Sequence, residues 1–187
     1  VNEAFDWEHG VFSGASVSSQ MTAAAEGEIG KLRHDPFAML PFCGYNLADY
    51  FKHWINIAKL TKKENLPKIF YVNWFRKDET KKFIWPGFAD NIRVLKWMFD
   101  RVDNKIGARK TIVGLVPKLE DLDLSGLKIT KEKLEKLFEI NPSLWEKETE
   151  KLQNYFSIFA SRLPKEITDQ IQALKERIRK EVKLCEQ

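Results

Sequence analysis

FIWPGFADN, residues 83–91, sets three aromatic rings within six residues and breaks the run with a Pro-Gly pair. Pro86 has no amide hydrogen to donate and Gly87 can take a positive φ, so neither a helix interior nor a central strand would hold this dipeptide. The rings therefore sit on a loop, and Asn91 follows where a helix starts. Downstream, IRVLKWMFDRV (92–102) has helical periodicity, with Ile92, Leu95 and Phe99 expected on one buried face that Val94, Trp97 and Met98 broaden. Upstream, KIFYVNWF (68–75) is β-branched and aromatic, and RKDETKK (76–82) is a charged turn. This pattern predicts a strand that pairs back through a hairpin, carrying Trp74 and Phe75 toward Phe83, Trp85 and Phe88.

Two meanings of that cluster stay open on the residues alone. Aromatic faces can hold a planar base by stacking, while the Asn91 amide and the N–H groups of a helix start meet its edge. The same rings can instead be ordinary core.

The rest of the chain reads as mixed α/β. HGVFSGASVSS (9–19) is expected to be a strand leading into a loop, and QMTAAAEGEIGK (20–31) a short Ala-rich helix interrupted by Gly27 and Gly30. HDPFAMLPFCGYN (34–46) is a turn-rich link, LADYFKHWINIAKL (47–60) a helix, and TIVGLVP (111–117) a second strand. From Thr130 onward the pattern is helical, with breaks near Pro142 and Pro164. The expected organisation is one domain over 1–187: short strands with packed helices over 1–129, and a helical third over 130–187.

Composition narrows the function classes. With 43% hydrophobic residues, 31% charged and a net charge of +4, the 187 residues have the profile of a globular chain with a real core. The basic residues alternate with Glu in segments such as TKEKLEKLFE, a pattern of solvated helix faces rather than a stripe that tracks phosphates, so no nucleic-acid partner is expected. No apolar run is long enough for a membrane span. Cys43 and Cys185 form no CxxC motif, and His9, His34 and His53 lie in separate segments, so neither a zinc site nor a disulfide framework is expected. There is no GxxxxGK[ST] loop.

KIFYVNWFRKD (68–78) followed by FIWPGFADN (83–91), with TAAAEGEIGKLRHDPFAMLPFCGYN (22–46) upstream, resembles the carboxy-terminal part of the GTP-dependent phosphoenolpyruvate carboxykinases. The similarity runs from about Trp7 to Trp145. It implies a portion of a cytoplasmic, monomeric enzyme of gluconeogenesis that converts oxaloacetate and GTP to phosphoenolpyruvate, GDP and carbon dioxide. It also implies that Trp74, Phe75, Phe83 and Phe88 supply the rings of a guanine pocket, with Ala89, Asp90 and Asn91 beside them and Asn91 reading the base. Met21, Thr22, Ala23, Ala24, Ala25, Glu26 and Gly27 match the start of a lid running to Lys31, and Phe42 matches an aromatic near the substrate. The Mn²⁺ or Mg²⁺ ligands, a Lys, a His and an Asp, belong to family segments that precede Val1. The family commonly reads Phe-Gly-Glu-Asn where this chain has Phe88-Ala89-Asp90-Asn91; a positive φ at the second position would make Ala89 narrow the approach to the base. The rival from another class is a stand-alone helical interaction module without nucleotide binding. A weaker one is a single-stranded RNA binder stacking bases on the same rings.

Overall fold

The structure, a computed structural model, describes residues 1–20 and 32–185. In chain order the main elements are β1 (Asn2–Glu3), α1 (Trp7–Ala15), β2 (Ser18–Gln20), β3 (Leu32–His34), α2 (Leu47–Ile57) and β4 (Phe70–Tyr71). They continue with α3 (Asn91–Val102), β5 (Arg109–Thr111), β6 (Gly114–Val116), α4 (Lys131–Phe138), α5 (Pro142–Ser157) and α6 (Lys165–Cys185). This is the mixed α/β class expected, with short strands and several helices. The chain divides into two compact units, Val1–Phe5 with Lys68–Asn141, and Asp6–Pro67 with Pro142–Gln187.

The first unit is built on a four-stranded antiparallel sheet in the order β4-β1-β6-β5. Gly114 opens β6 at φ 147°, and a Cβ there would stand 2.7 Å from the Glu3 carbonyl, so only glycine lets β1 and β6 approach. Helix α3 packs on this sheet through Trp97, whose ring meets Phe70 edge-on at 5.9 Å. Its inward face is Val94, Trp97 and Arg101, with Arg101 donating two bonds to the buried Glu3 at 2.6 and 3.2 Å. Of the expected buried face, Val94 and Trp97 are buried, whereas Ile92, Leu95 and Phe99 point outward and form an exposed stripe with Phe88 and Val102. The inward face ends in an arginine, half-buried and paired with the buried Glu3, which helical spacing of apolar residues does not reveal.

The strand expected over 68–75 shrinks to Phe70–Tyr71. Its partner β1 is only two residues long, and Asn73 then turns the chain by accepting the Phe75 amide at 2.9 Å. The single strand expected over 111–117 is part of the β5–β6 hairpin.

In the second unit, residues 9–15 are helical where a strand was expected. Asp6 caps α1 by accepting from the His9 amide at 2.8 Å, and Gly14 within it has a packing role: a Cβ there would strike the Phe37 ring at 2.6 Å. β2 and β3 pair as an antiparallel ribbon, Ser18 opposite His34 and Gln20 opposite Leu32. Helices α2, α5 and α6 follow the sequence pattern. Asn46 caps α2, Pro142 opens α5, and α6 buries Ile167, Ile171, Leu174 and Ile178 at helical spacing. Phe12, Phe51, Phe156 and Phe159 interlock as the core, with Phe51 edge-on to both Phe156 and Phe159.

Candidate functional site

The site lies wholly in the first unit and begins with the hairpin. The Ile84 amide donates to the Arg76 carbonyl at 2.9 Å, Lys77 and Phe83 form an isolated antiparallel bridge, and the Asp78 amide donates to the Lys82 carbonyl at 2.9 Å. Asp78 organises the tip: its carboxylate accepts from the Thr80 amide and hydroxyl and from the Lys82 amide, and these bonds, the hydroxyl first, hold its carboxyl below the usual range. The expected pairing back through 76–82 is thus present, and it sets Phe75 beside Phe83, ring centroids 5.9 Å apart and tilted by 58°. Both rings are more than half exposed, and the Lys77 ammonium lies 5.2 Å from the Phe83 centroid.

The aromatic loop follows. Gly87 takes φ 137°, turning the chain into a 3-10 turn, Phe88–Asp90, that runs into α3. Phe88 is 92% exposed. Ala89 has no positive φ; the left-handed requirement falls on Gly87, so alanine at 89 is accommodated without strain. Asp90 pairs with Arg93 at 3.0 Å, and Arg93 also donates to the Ser125 carbonyl at 2.8 Å, tying the helix start to a neighbouring loop. The helix start offers fewer donors than a bare N-terminus, because the Asp90 and Asn91 amides already bond to the Gly87 and Phe88 carbonyls.

Trp85 departs from expectation. It is buried rather than part of the open cluster, and its indole N–H donates to Asn91 Oδ1 at 2.8 Å. Trp74 is half-buried. The structure therefore brings together Phe75 with Phe83 and Trp85 with Asn91, and leaves Phe88 projecting into solvent. The contacts that sequence reasoning missed are Trp85 to Asn91 and Arg93 to the loop at 125. No sequence signal marks either contact: both depend on how the turn at Gly87 and the loop at 125 are folded.

Phe42 belongs to the second unit, at the end of a 3-10 turn, Leu40–Phe42, and is 83% exposed. Residues 21–31, to which the lid was assigned, lie outside the described residues.

The histidines do not fit a divalent ion. His9 is buried beside Phe12, its imidazole pushed down to about 4 by burial and by Arg177; His34 stacks on Tyr155 at 4.0 Å; and His53 packs edge-on to Trp54. Among the described residues, no three His, Cys, Asp or Glu side chains are gathered as metal ligands. No described helix is long and apolar enough to cross a membrane.

The comparisons with known proteins agree on one family. The family model described as "Phosphoenolpyruvate carboxykinase C-terminal P-loop domain" matches residues 1–177. The phosphoenolpyruvate carboxykinase [GTP] of Chlamydia muridarum is 48% identical over 180 residues, covering 96% of this chain and 30% of the relative. That of Chlamydia trachomatis is 49% identical over 180 residues with the same shares, and that of Chlamydia caviae is 52% identical over 172 residues, covering 91% of this chain and 28% of the relative. The chain thus spans about 30% of the length of the curated relatives it matches. It belongs to the GTP-dependent phosphoenolpyruvate carboxykinase family, as part of the C-terminal P-loop domain.

Proposed function

We propose that this chain is the base-recognition portion of a GTP-dependent phosphoenolpyruvate carboxykinase, and that its aromatic loop grips guanine. The carrying observation is the exposure of Phe75, Phe83 and Phe88 on one hairpin-and-loop segment, beside an asparagine whose amide is already oriented. Large rings held in solvent on a loop are unused stacking surface, and base–aromatic stacking is worth about 1–3 kcal/mol per base. Ala89 and Asp90 form the turn that delivers Asn91 to the base, and Gly87 fixes the turn.

The reaction assigned to the whole enzyme is phosphoryl transfer from GTP with decarboxylation of oxaloacetate to phosphoenolpyruvate, in the cytoplasm and with Mn²⁺ or Mg²⁺. The metal supplies charge neutralisation on the phosphates when bound. The residues described here do not fit it, and the 187 residues hold no GxxxxGK[ST] cradle, so those parts are assigned to the share of the relatives that this chain does not match. Residues 21–31 keep the role of lid, and Phe42 that of a ring near the substrate, on the family resemblance. Gln20 and Leu32, the described residues on either side of that segment, pair in the β2–β3 ribbon, which supports the lid reading.

The test is base preference. In the complete enzyme, Asn91→Ala should lower kcat/KM for GTP by about tenfold or more and leave ATP nearly unchanged, collapsing the preference. An unchanged GTP to ATP ratio contradicts the assignment. The 187-residue chain alone should show no turnover with GTP, oxaloacetate and Mn²⁺; measurable turnover refutes the division of labour.

A further inference from the structure

An indole N–H donates and never accepts. The Asn91 atom 2.8 Å from Trp85 Nε1 is therefore the amide oxygen, which fixes the orientation of a group whose two ends otherwise look alike. Both partners are anchored. Trp85 is buried next to buried Ile84, whose amide is bonded to Arg76, and the Asn91 backbone amide is bonded to the Phe88 carbonyl. With Oδ1 turned to the indole, the end of Asn91 left for a ligand is its NH₂, which has no acceptor among the described residues.

We infer that Trp85 is a positioning residue for base specificity: by holding Asn91 Oδ1 it turns the Asn91 NH₂ outward, so that the aromatic loop selects a ring with a carbonyl acceptor at its edge. The inference rests on the guanine-pocket reading above. A purine with a 6-carbonyl receives a hydrogen bond there, whereas a 6-amino purine sets N–H against N–H and leaves both unpaired. Without the indole, the amide rotates and either end can meet the base, so discrimination falls.

The decisive variant is Asn91→Asp in the complete enzyme, nearly isosteric. One carboxylate oxygen still accepts from Trp85 and the other presents an acceptor where the NH₂ stood. GTP should then lose about a hundredfold in kcat/KM while ATP does not fall. If Asn91 instead read the base through its oxygen, accepting from N1–H and the exocyclic amine, the aspartate would keep or tighten GTP, and that result overturns the inference. Trp85→Phe retains a ring and removes the donor. The GTP to ATP ratio should drop about tenfold in the wild-type background and hardly at all when Asn91 is already alanine; equal drops in both would reduce Trp85 to packing. Should Trp85→Phe fail to fold, nitrogen-15 spectra of the Asn91→Leu enzyme serve instead. The Trp85 indole resonance should move when its acceptor is removed, and an unmoved resonance overturns the bond. Because no nucleotide is involved, this outcome is separate from failure of the pocket itself, which would show as a Phe88→Ala enzyme with unchanged nucleotide KM.

Discussion

Phenylalanine serves opposite ends in the two units. In the second, Phe12, Phe51, Phe156 and Phe159 come from α1, α2 and α5 and the turn after α5, and they bury one another almost completely. In the first, Phe75, Phe83 and Phe88 come from a hairpin and a Pro-Gly loop and remain in solvent. The side chain is the same; the backbone beneath it differs. A helix carries its rings to a partner surface along one face, whereas Gly87 and the short hairpin turn the rings away from the sheet. Ring content alone therefore does not identify a site; the proposed base-binding role of Phe75, Phe83 and Phe88 rests on their exposure on a loop.

The largest expected effect breaks the comparison on its buried side. Phe156→Ala should destabilise the second unit by about 3–5 kcal/mol, while Phe88→Ala should move stability by no more than about 0.5 kcal/mol. Chemical denaturation of both variants checks this; comparable losses would mean that Phe88 is also core.

Acid should act on the same buried side. His9 has its folded value pushed from the ordinary 6.5 to about 4, first by burial and then by Arg177. The folded value is the lower one, so its contribution is full above pH 6.5 and disappears progressively as pH falls from 6.5 to about 4. The magnitude is on the order of 3 kcal/mol. Denaturation midpoints across that window should fall steeply in wild type and less steeply in His9→Leu; identical slopes would show that His9 is not the responsible group.

On the exposed side the effects are in binding. Phe83→Leu keeps apolar bulk but loses the stacking face, and should raise the GTP KM by about five- to a hundredfold with a smaller change for oxaloacetate. Equal changes for both substrates would mark a general distortion. Smallest of all is Ala89→Gly, the residue common in the family. Because Ala89 has no positive φ, the change should leave nucleotide KM within about twofold and destabilise by at most about 1 kcal/mol.

The contrast also explains what the sequence made legible. Helices α2, α5 and α6 could be read because their apolar spacing and flanking Asn46, Pro142 and Pro164 agree. The hairpin at 76–84 was legible from its charged turn between aromatic segments. Helix α1 was not, since Gly10 and Gly14 lower helix propensity and the packing need for Gly14 comes from Phe37, 23 residues later in the chain. The Arg101 end of the inward face of α3 was hidden for a similar reason: its ion-pair partner Glu3 lies 98 positions away. At the site, Trp74, Phe75, Phe83, Trp85 and Phe88 were read as one cluster from local spacing, of which the structure brings together Phe75 and Phe83. The inward turn of Trp85 depends on a hydrogen bond that spacing does not encode.

The most direct measurement is on the rings themselves. In the complete enzyme with carbon-13-labelled phenylalanine, saturating GDP should produce upfield ring-current shifts and base-to-ring nuclear Overhauser effects at Phe83 and Phe88, with Phe75 shifted as their neighbour. Phe12, Phe51 and Phe156 should stay unmoved, and ADP at the same concentration should give far smaller changes. Saturable GDP binding without response from Phe83 or Phe88 would contradict the account, because the base would then lie somewhere other than on the exposed aromatic loop.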